Sequence, residues 1–182
     1  VIIEHIRSRE DNRIIFSEED IPLETGGGVI NALPKLGNEP FFIINGDSVW
    51  VDGMKNTLLR LAEKWSPNNM DALLMLASTA KTLNFDGLGD FFMDQNGFLK
   101  RRKEKTISPY AYMGLSIINP LSLANAPNGA FSLNWLYDKA IESNRLAGII
   151  HDGLWYHIST PDDLEFARVR FADGHLKNAS FF

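Results

Sequence analysis

The chain has 182 residues, 45% of them hydrophobic, which suits one domain with a buried core and excludes global disorder. It contains no cysteine, so disulfides and thiolate metal sites are excluded, and a reducing, cytoplasmic setting is expected. A formal net charge of −5 argues against a broad nucleic-acid-binding face, and no apolar run reaches the roughly 20 residues of a membrane span.

The first seven residues read Val1-Ile2-Ile3-Glu4-His5-Ile6-Arg7. Ile2, Ile3 and Ile6 fall at helical spacing with no methionine ahead of them, which predicts the tail of an amphipathic helix and a further segment upstream. Residues 13–19 (RIIFSEE) read as a short strand, and 23–28 (LETGGG) as a glycine-rich loop leading into a short helix over 29–36. The run 40–45 (PFFIIN) suits a strand buried on both faces. Leu58, Leu59, Leu61, Ala62 and Trp65 fall at helical spacing within 55–65, and 71–78 (DALLMLAS) is a second apolar strand. Strands alternating with helices predict an α/β sandwich with a mostly parallel central sheet.

Beyond residue 85 the pattern changes. Segments 90–94 and 97–102 flank Gln95-Asn96-Gly97, a hairpin signal. Residues 112–119 (YMGLSIIN) form a strand stopped by Pro120, and 133–143 a helix. Strand-like stretches surround Gly153 within 147–158. A last helix spans 161–171, with Thr160 at its N-cap and Pro161 at its first position. The tail from Gly174, polar until Phe181-Phe182, receives no assignment. No linker divides the chain, so 1–182 reads as a single domain in which 85–120 could cover one side of the sheet.

Two constellations carry chemistry. In 22–28 (PLETGGG) the glycines permit positive φ and let a flat ligand approach the backbone, while amides at the helix start favour anions or base carbonyls; a ligand-free strand-to-helix turn explains the same glycines. In 43–48 (IINGDS), Asp47 follows the carboxyl end of a buried strand, where α/β sheets bind ligands and a carboxylate can hold Mg²⁺; Asn-Gly-Asp as turn punctuation is the alternative. His5 and His151 are lone histidines without ligand spacing, the basic run 100–105 reads as a solvated face, and Trp50, Trp65 and Trp135 as packing residues. The acids Asp162 and Asp163 suit the positive end of a helix dipole.

PLETGGG followed within about 25 residues by PFFIINGD resembles the sugar-1-phosphate nucleotidyltransferases, in particular bacterial N-acetylmuramate-1-phosphate uridylyltransferases and mannose-1-phosphate guanylyltransferase-like proteins. The resemblance runs from Ile15 to Ala167. It implies a Rossmann-like, glycosyltransferase-A-like fold and transfer of a nucleotidyl group from UTP or GTP to a sugar 1-phosphate, with release of pyrophosphate and a role in cell-wall nucleotide-sugar synthesis. It implies Glu24, Thr25, Gly26, Gly27 and Asn45 as nucleotide-binding residues. Asp47 would be the catalytic carboxylate on Mg²⁺, with Mn²⁺ as an alternative, and Asp90 and Gly114 would face the sugar. Nucleoside triphosphate and sugar 1-phosphate are the partners so implied, with no nucleic acid and no membrane.

The chain departs from the family pattern twice. The early signature that supplies cations to the triphosphate, a glycine-rich GxGxRM-type loop followed by a Pro-Lys pair, is absent from these 182 residues, so a polypeptide limited to them is expected to be inactive. In 155–161 (WYHISTP), His157 stands where the family carries a second metal-binding Asp, and Trp155 frames the same stretch. Three readings of His157 compete: it binds a different metal, it hydrogen-bonds a phosphate, or it fills the site while Asp47 alone anchors Mg²⁺ through water. The last two together are favoured over direct ligation. A non-catalytic nucleotide- or sugar-binding regulatory module is the alternative function. A dehydrogenase is disfavoured because no GxGxxG follows a first strand.

Overall fold

A computed structural model describes residues 2–82, 85 and 87–172; the unassigned tail lies outside them. Helix α1 (Ile2–Arg7) is short and buries none of its residues. The predicted strand over 13–19 is not formed. That segment crosses helix α2 (Glu24–Leu36) instead, and its hydrogen bonds go to α2 side chains: Asn31 Nδ2 donates to Ser17 Oγ at 3.0 Å and to the Glu18 carbonyl at 3.1 Å, and Lys35 Nζ donates to the Phe16 carbonyl. The carbonyls of Phe16 and Glu18 thus find α2 side chains rather than the amides of a neighbouring strand.

Among the described residues, six strands form the main sheet: β1 (Phe41–Ile44), β3 (Ala72–Ser78), β4 (Phe91–Met93), β5 (Leu99–Arg101), β6 (Tyr110–Ile118) and β7 (Leu146–Ile150). The order is β5-β4-β6-β3-β7, with β1 also pairing to β6. Strands β1, β3, β4 and β7 share one direction and β5 and β6 oppose them, so β3–β7 is the parallel pair and β6 the antiparallel strand at the centre. This is the expected Rossmann-like α/β class, with a mixed sheet: four strands share a direction, but among the described pairings only β3 and β7 lie side by side in parallel. Every residue from Ala72 to Ala77 is buried, as its unbroken apolar run requires. β1 differs from that expectation: Phe42 and Ile44 are 40% and 47% exposed, because α2 covers one face only and no described strand pairs with its second edge.

The hairpin signal forms as read. β4 and β5 pair Phe91 with Arg101, Gly97 takes φ +90°, and the Asp94 carboxylate accepts from the amides of Asn96 and Phe98 at 2.9 Å. Helix α4 (Asn134–Glu142) packs with α2 on one face of the sheet, burying Leu136, Tyr137 and Ala140. Helix α3 (Thr57–Lys64) lies on the other face through Leu61 and is capped by Asn56, whose side chain accepts from the Leu59 amide at 3.1 Å.

A separate two-stranded ribbon joins β2 (Ser48–Val51) to β8 (Leu154–His157), antiparallel, with Ser48 opposite His157. Its pleat sorts the side chains. Trp50 and Trp155 pack into the cluster beneath the main sheet, whereas Val49, Val51, Leu154 and Tyr156 meet helix α5 (Pro161–Ala172). Thr160 caps α5 as expected: its Oγ1 accepts from the Asp163 amide at 3.1 Å, and the Asp163 carboxylate accepts from the amides of Ser159 and Thr160.

Candidate functional site

The three glycines do not form a loop. They lie in the first turns of α2, and none has a positive φ. Glu24, the first residue of that helix, takes the left-handed φ of +58° instead, which is strained for a residue bearing a Cβ. Close approach is what the glycines provide. A Cβ on Gly26 would stand 2.4 Å from the Phe131 ring, and one on Gly27 2.5 Å from the Gly129 carbonyl oxygen. The amides of Gly26 and Gly27 both donate to the Phe131 carbonyl, at 2.8 and 3.3 Å, and Thr25 Oγ1 accepts from the Leu133 amide at 2.9 Å. The start of α2 is therefore locked onto the loop that leads into α4.

Between α2, β1 and α4 lies a cleft of about 550 Å³, within the range of small-ligand sites. Glu24, Thr25, Gly28 and Asn45 line it together with Glu19 and Ser132–Asn134, and its floor holds Tyr112 and Tyr137. Gly26 and Gly27 are buried and stand behind this lining. Tyr137 donates to the Tyr112 hydroxyl at 3.2 Å, and Tyr112 donates to Ser116 Oγ at 3.1 Å. Burial pushes both phenols above the ordinary value of 10.0, so they stay protonated donors at neutral pH. Sequence periodicity marked the helix that carries Tyr137, but nothing in it marked this buried hydroxyl chain.

Where β1 ends, backbone hydrogen bonds gather the remaining candidates. Asn45 N donates to the Gly114 carbonyl at 2.7 Å, Ser48 N to the Asn45 carbonyl at 3.3 Å, and Ile158 N to the Asp47 carbonyl at 2.9 Å. Asp47 thus sits in the exposed turn between β1 and β2, beside the end of β8 that carries His157. Gly114 has φ +74°, and a Cβ there would lie 2.8 Å from Asn45 Cβ, so both backbone conformation and space demand glycine. Asp90 reaches the same strand: its carboxylate accepts from the Tyr112 amide at 2.8 Å. Asn45 is common to both groupings, because it lines the cleft and bonds Gly114.

Among the described residues, no group of three or more His, Cys, Asp or Glu side chains could hold a metal ion. One exposed carboxylate at Asp47 nevertheless fits Mg²⁺, which takes oxygen ligands, keeps several waters and shares substrate phosphates.

The chain is 37% identical over 174 residues to N-acetylmuramate α-1-phosphate uridylyltransferase of Caulobacter vibrioides, covering 93% of this chain and 72% of that protein. It is 30% identical over 148 residues to the protein of the same name from Neisseria meningitidis, covering 81% of this chain and 62% of the relative. Among solved structures, HddC from Yersinia pseudotuberculosis superposes with a TM-score of 0.70 at 19% identity, over 93% of this chain and 73% of that one. A putative glucose-1-phosphate thymidylyltransferase from Bacillus anthracis superposes with a TM-score of 0.64 at 16% identity, over 83% of this chain and 62% of that one. No family model matches the chain.

Proposed function

Because the chain belongs to the sugar-1-phosphate nucleotidyltransferases, we propose that the protein it represents transfers a nucleotidyl group from UTP or GTP to a sugar 1-phosphate, with UTP favoured. One observation carries this reading: Asn45 lines the 550 Å³ cleft and is also hydrogen-bonded to Gly114, two residues before Asp47. A nucleoside seated against Glu24 and Thr25 would place its phosphates toward Asp47, with the sugar 1-phosphate held near Asp90 and Gly114. Gly26 and Gly27 serve the nucleotide by letting the start of α2 press against Phe131. The sugar phosphate oxygen attacks the α-phosphorus as the bond to the pyrophosphate oxygen breaks. Asp47 would hold Mg²⁺ or Mn²⁺, which supplies charge neutralisation on the phosphates when bound.

We read His157 as hydrogen-bonding a phosphate, with Asp47 as the metal-holding group; its register opposite Ser48, the residue after Asp47, supports its closeness to that group. In the complete protein, His157→Asp should then change the rate more than the preference between Mg²⁺ and Mn²⁺; a switched metal preference would favour direct ligation. A thermal-shift panel of nucleoside triphosphates with Mg²⁺ or Mn²⁺ tests the base, since a bound ligand raises stability by mass action. Pyrophosphate release from UTP and a sugar 1-phosphate tests the reaction. We expect no turnover from a polypeptide limited to these 182 residues, which contain no GxGxRM-type loop. Nucleotide binding without turnover by the complete protein would instead support a regulatory module.

A further inference from the structure

Three strands bring the candidate groups together, and one buried hydroxyl touches all three strands. Ser48 follows Asp47 on β2, is 9% exposed, and donates from Oγ to the Met113 carbonyl on β6, the residue before Gly114. The same Oγ accepts from Trp155 Nε1 at 2.7 Å, and Trp155 lies two residues before His157 on β8. The rings of Trp155 and His157 stand 5.7 Å apart, so the indole also backs the imidazole. Every polar atom in this bridge is paired, and each partner adjoins a candidate site residue.

We propose that Ser48 is a positioning residue whose hydroxyl fixes the Asp47–His157 end of the ribbon against β6 beside Gly114, and so sets the spacing between the metal-holding and sugar-facing groups. This rests on the transfer reading of Asp47 and Gly114 given above. The geometry supports such a role because the hydroxyl is directional at both ends. Donation to Met113 and acceptance from Trp155 fix the ribbon's position, whereas the apolar contacts of Trp50 and Trp155 allow sliding. Removing the hydroxyl leaves an indole N–H and a carbonyl buried without their partner.

The test uses the complete protein. Ser48→Ala should weaken Mn²⁺ binding in the presence of a nucleoside triphosphate, followed by electron paramagnetic resonance, by about tenfold, the scale of one buried hydrogen bond. It should raise the KM for sugar 1-phosphate to a similar degree and change nucleotide binding without metal less, because only Asn45 and Tyr112 of the cleft lining adjoin the bridge. Ser48→Thr, which keeps the hydroxyl, should restore both quantities. Leu123→Ala, a core change outside the ribbon, should lower Tm without altering Mn²⁺ affinity. If Ser48→Ala does not fold, Trp155→Phe keeps an aromatic six-membered ring, removes the N–H donor and should shift the same quantities in the same direction, less strongly. A folded Ser48→Ala or Trp155→Phe protein with wild-type Mn²⁺ affinity and sugar 1-phosphate KM overturns the proposal. A wild-type protein without turnover on any pair of substrates sinks the transfer reading instead, and the Mn²⁺ comparison still decides the positioning role.

Discussion

The main sheet and the β2–β8 ribbon are held by different physics. Strand β3 buries six consecutive apolar residues between β6 and β7, and the sheet draws its stability from that burial. The ribbon has two strands, a number that is marginal alone, and polar pins fasten both of its ends. At one end stand Ser48, Trp155 and Met113. At the other, His151 Nε2 lies 3.1 Å from the Val51 carbonyl and 3.2 Å from that of Leu154. Nearby, the Asp52 carboxylate accepts from Thr57 N and Oγ1, Asn56 Nδ2 and Trp50 Nε1. Burial raises the Asp52 carboxyl, yet these hydrogen bonds together hold it below its usual value. Apolar contact tolerates small displacements, whereas hydrogen bonds do not, and the ribbon carries the groups whose placement matters.

Breaking the sheet should give the largest effect on stability. Leu74→Ala, at a fully buried position, is expected to cost about 2–5 kcal/mol by denaturant unfolding while leaving metal affinity unchanged. Gly26→Ala comes next. Its Cβ would lie 2.4 Å from the Phe131 ring and 2.8 Å from the Phe131 carbonyl oxygen, so backbone must move, at about 1–3 kcal/mol, and nucleotide binding should weaken as the start of α2 shifts. Thr160→Ala removes the cap of the helix that covers the ribbon's outer face and should cost about 1 kcal/mol, seen as a small fall in Tm.

The smallest effect is a change of slope. Burial holds His151 below its ordinary value of 6.5, opposed by the carbonyls of Leu154 and Val51 and by Asp152, and reinforced by Arg60. As pH falls through 6.5 the unfolded chain takes up the proton before the folded one does. The stability of the neutral ring is therefore complete above that pH and declines as the pH drops toward the folded value. His151→Gln should flatten stability against pH in that window; an unchanged slope would place the titration elsewhere.

Much of the fold was legible because periodicity reports burial. The run 71–78, the Asn-Gly hairpin, the helix at 55–65 and the Thr160 cap all appear where their patterns place them. Two readings failed for one reason. Residues 13–19 looked like a strand and 23–28 like a loop, yet the backbone partners of both lie far along the chain or on side chains. Asn31 and Lys35 satisfy the first, and the Phe131 carbonyl takes the amides of Gly26 and Gly27. Local pattern carries no record of such partners. The candidate site was legible in part: Glu24, Thr25 and Asn45 share the cleft, and Asp47 and His157 share the ribbon's end. The Tyr112–Tyr137 floor and the Ser48 bridge were not, since each joins residues more than 20 positions apart.

The order of residue types along the chain was sufficient to determine the α/β class, the family signature and the apolar strands, because each depends on spacing within a few residues. Only the tertiary structure decided that Glu24 rather than a glycine takes the left-handed backbone, that Gly26 and Gly27 face Phe131 and Gly129, and that Ser48 joins β2, β6 and β8. Those outcomes depend on steric fit and hydrogen-bond direction between distant segments, which exist only once the chain has packed.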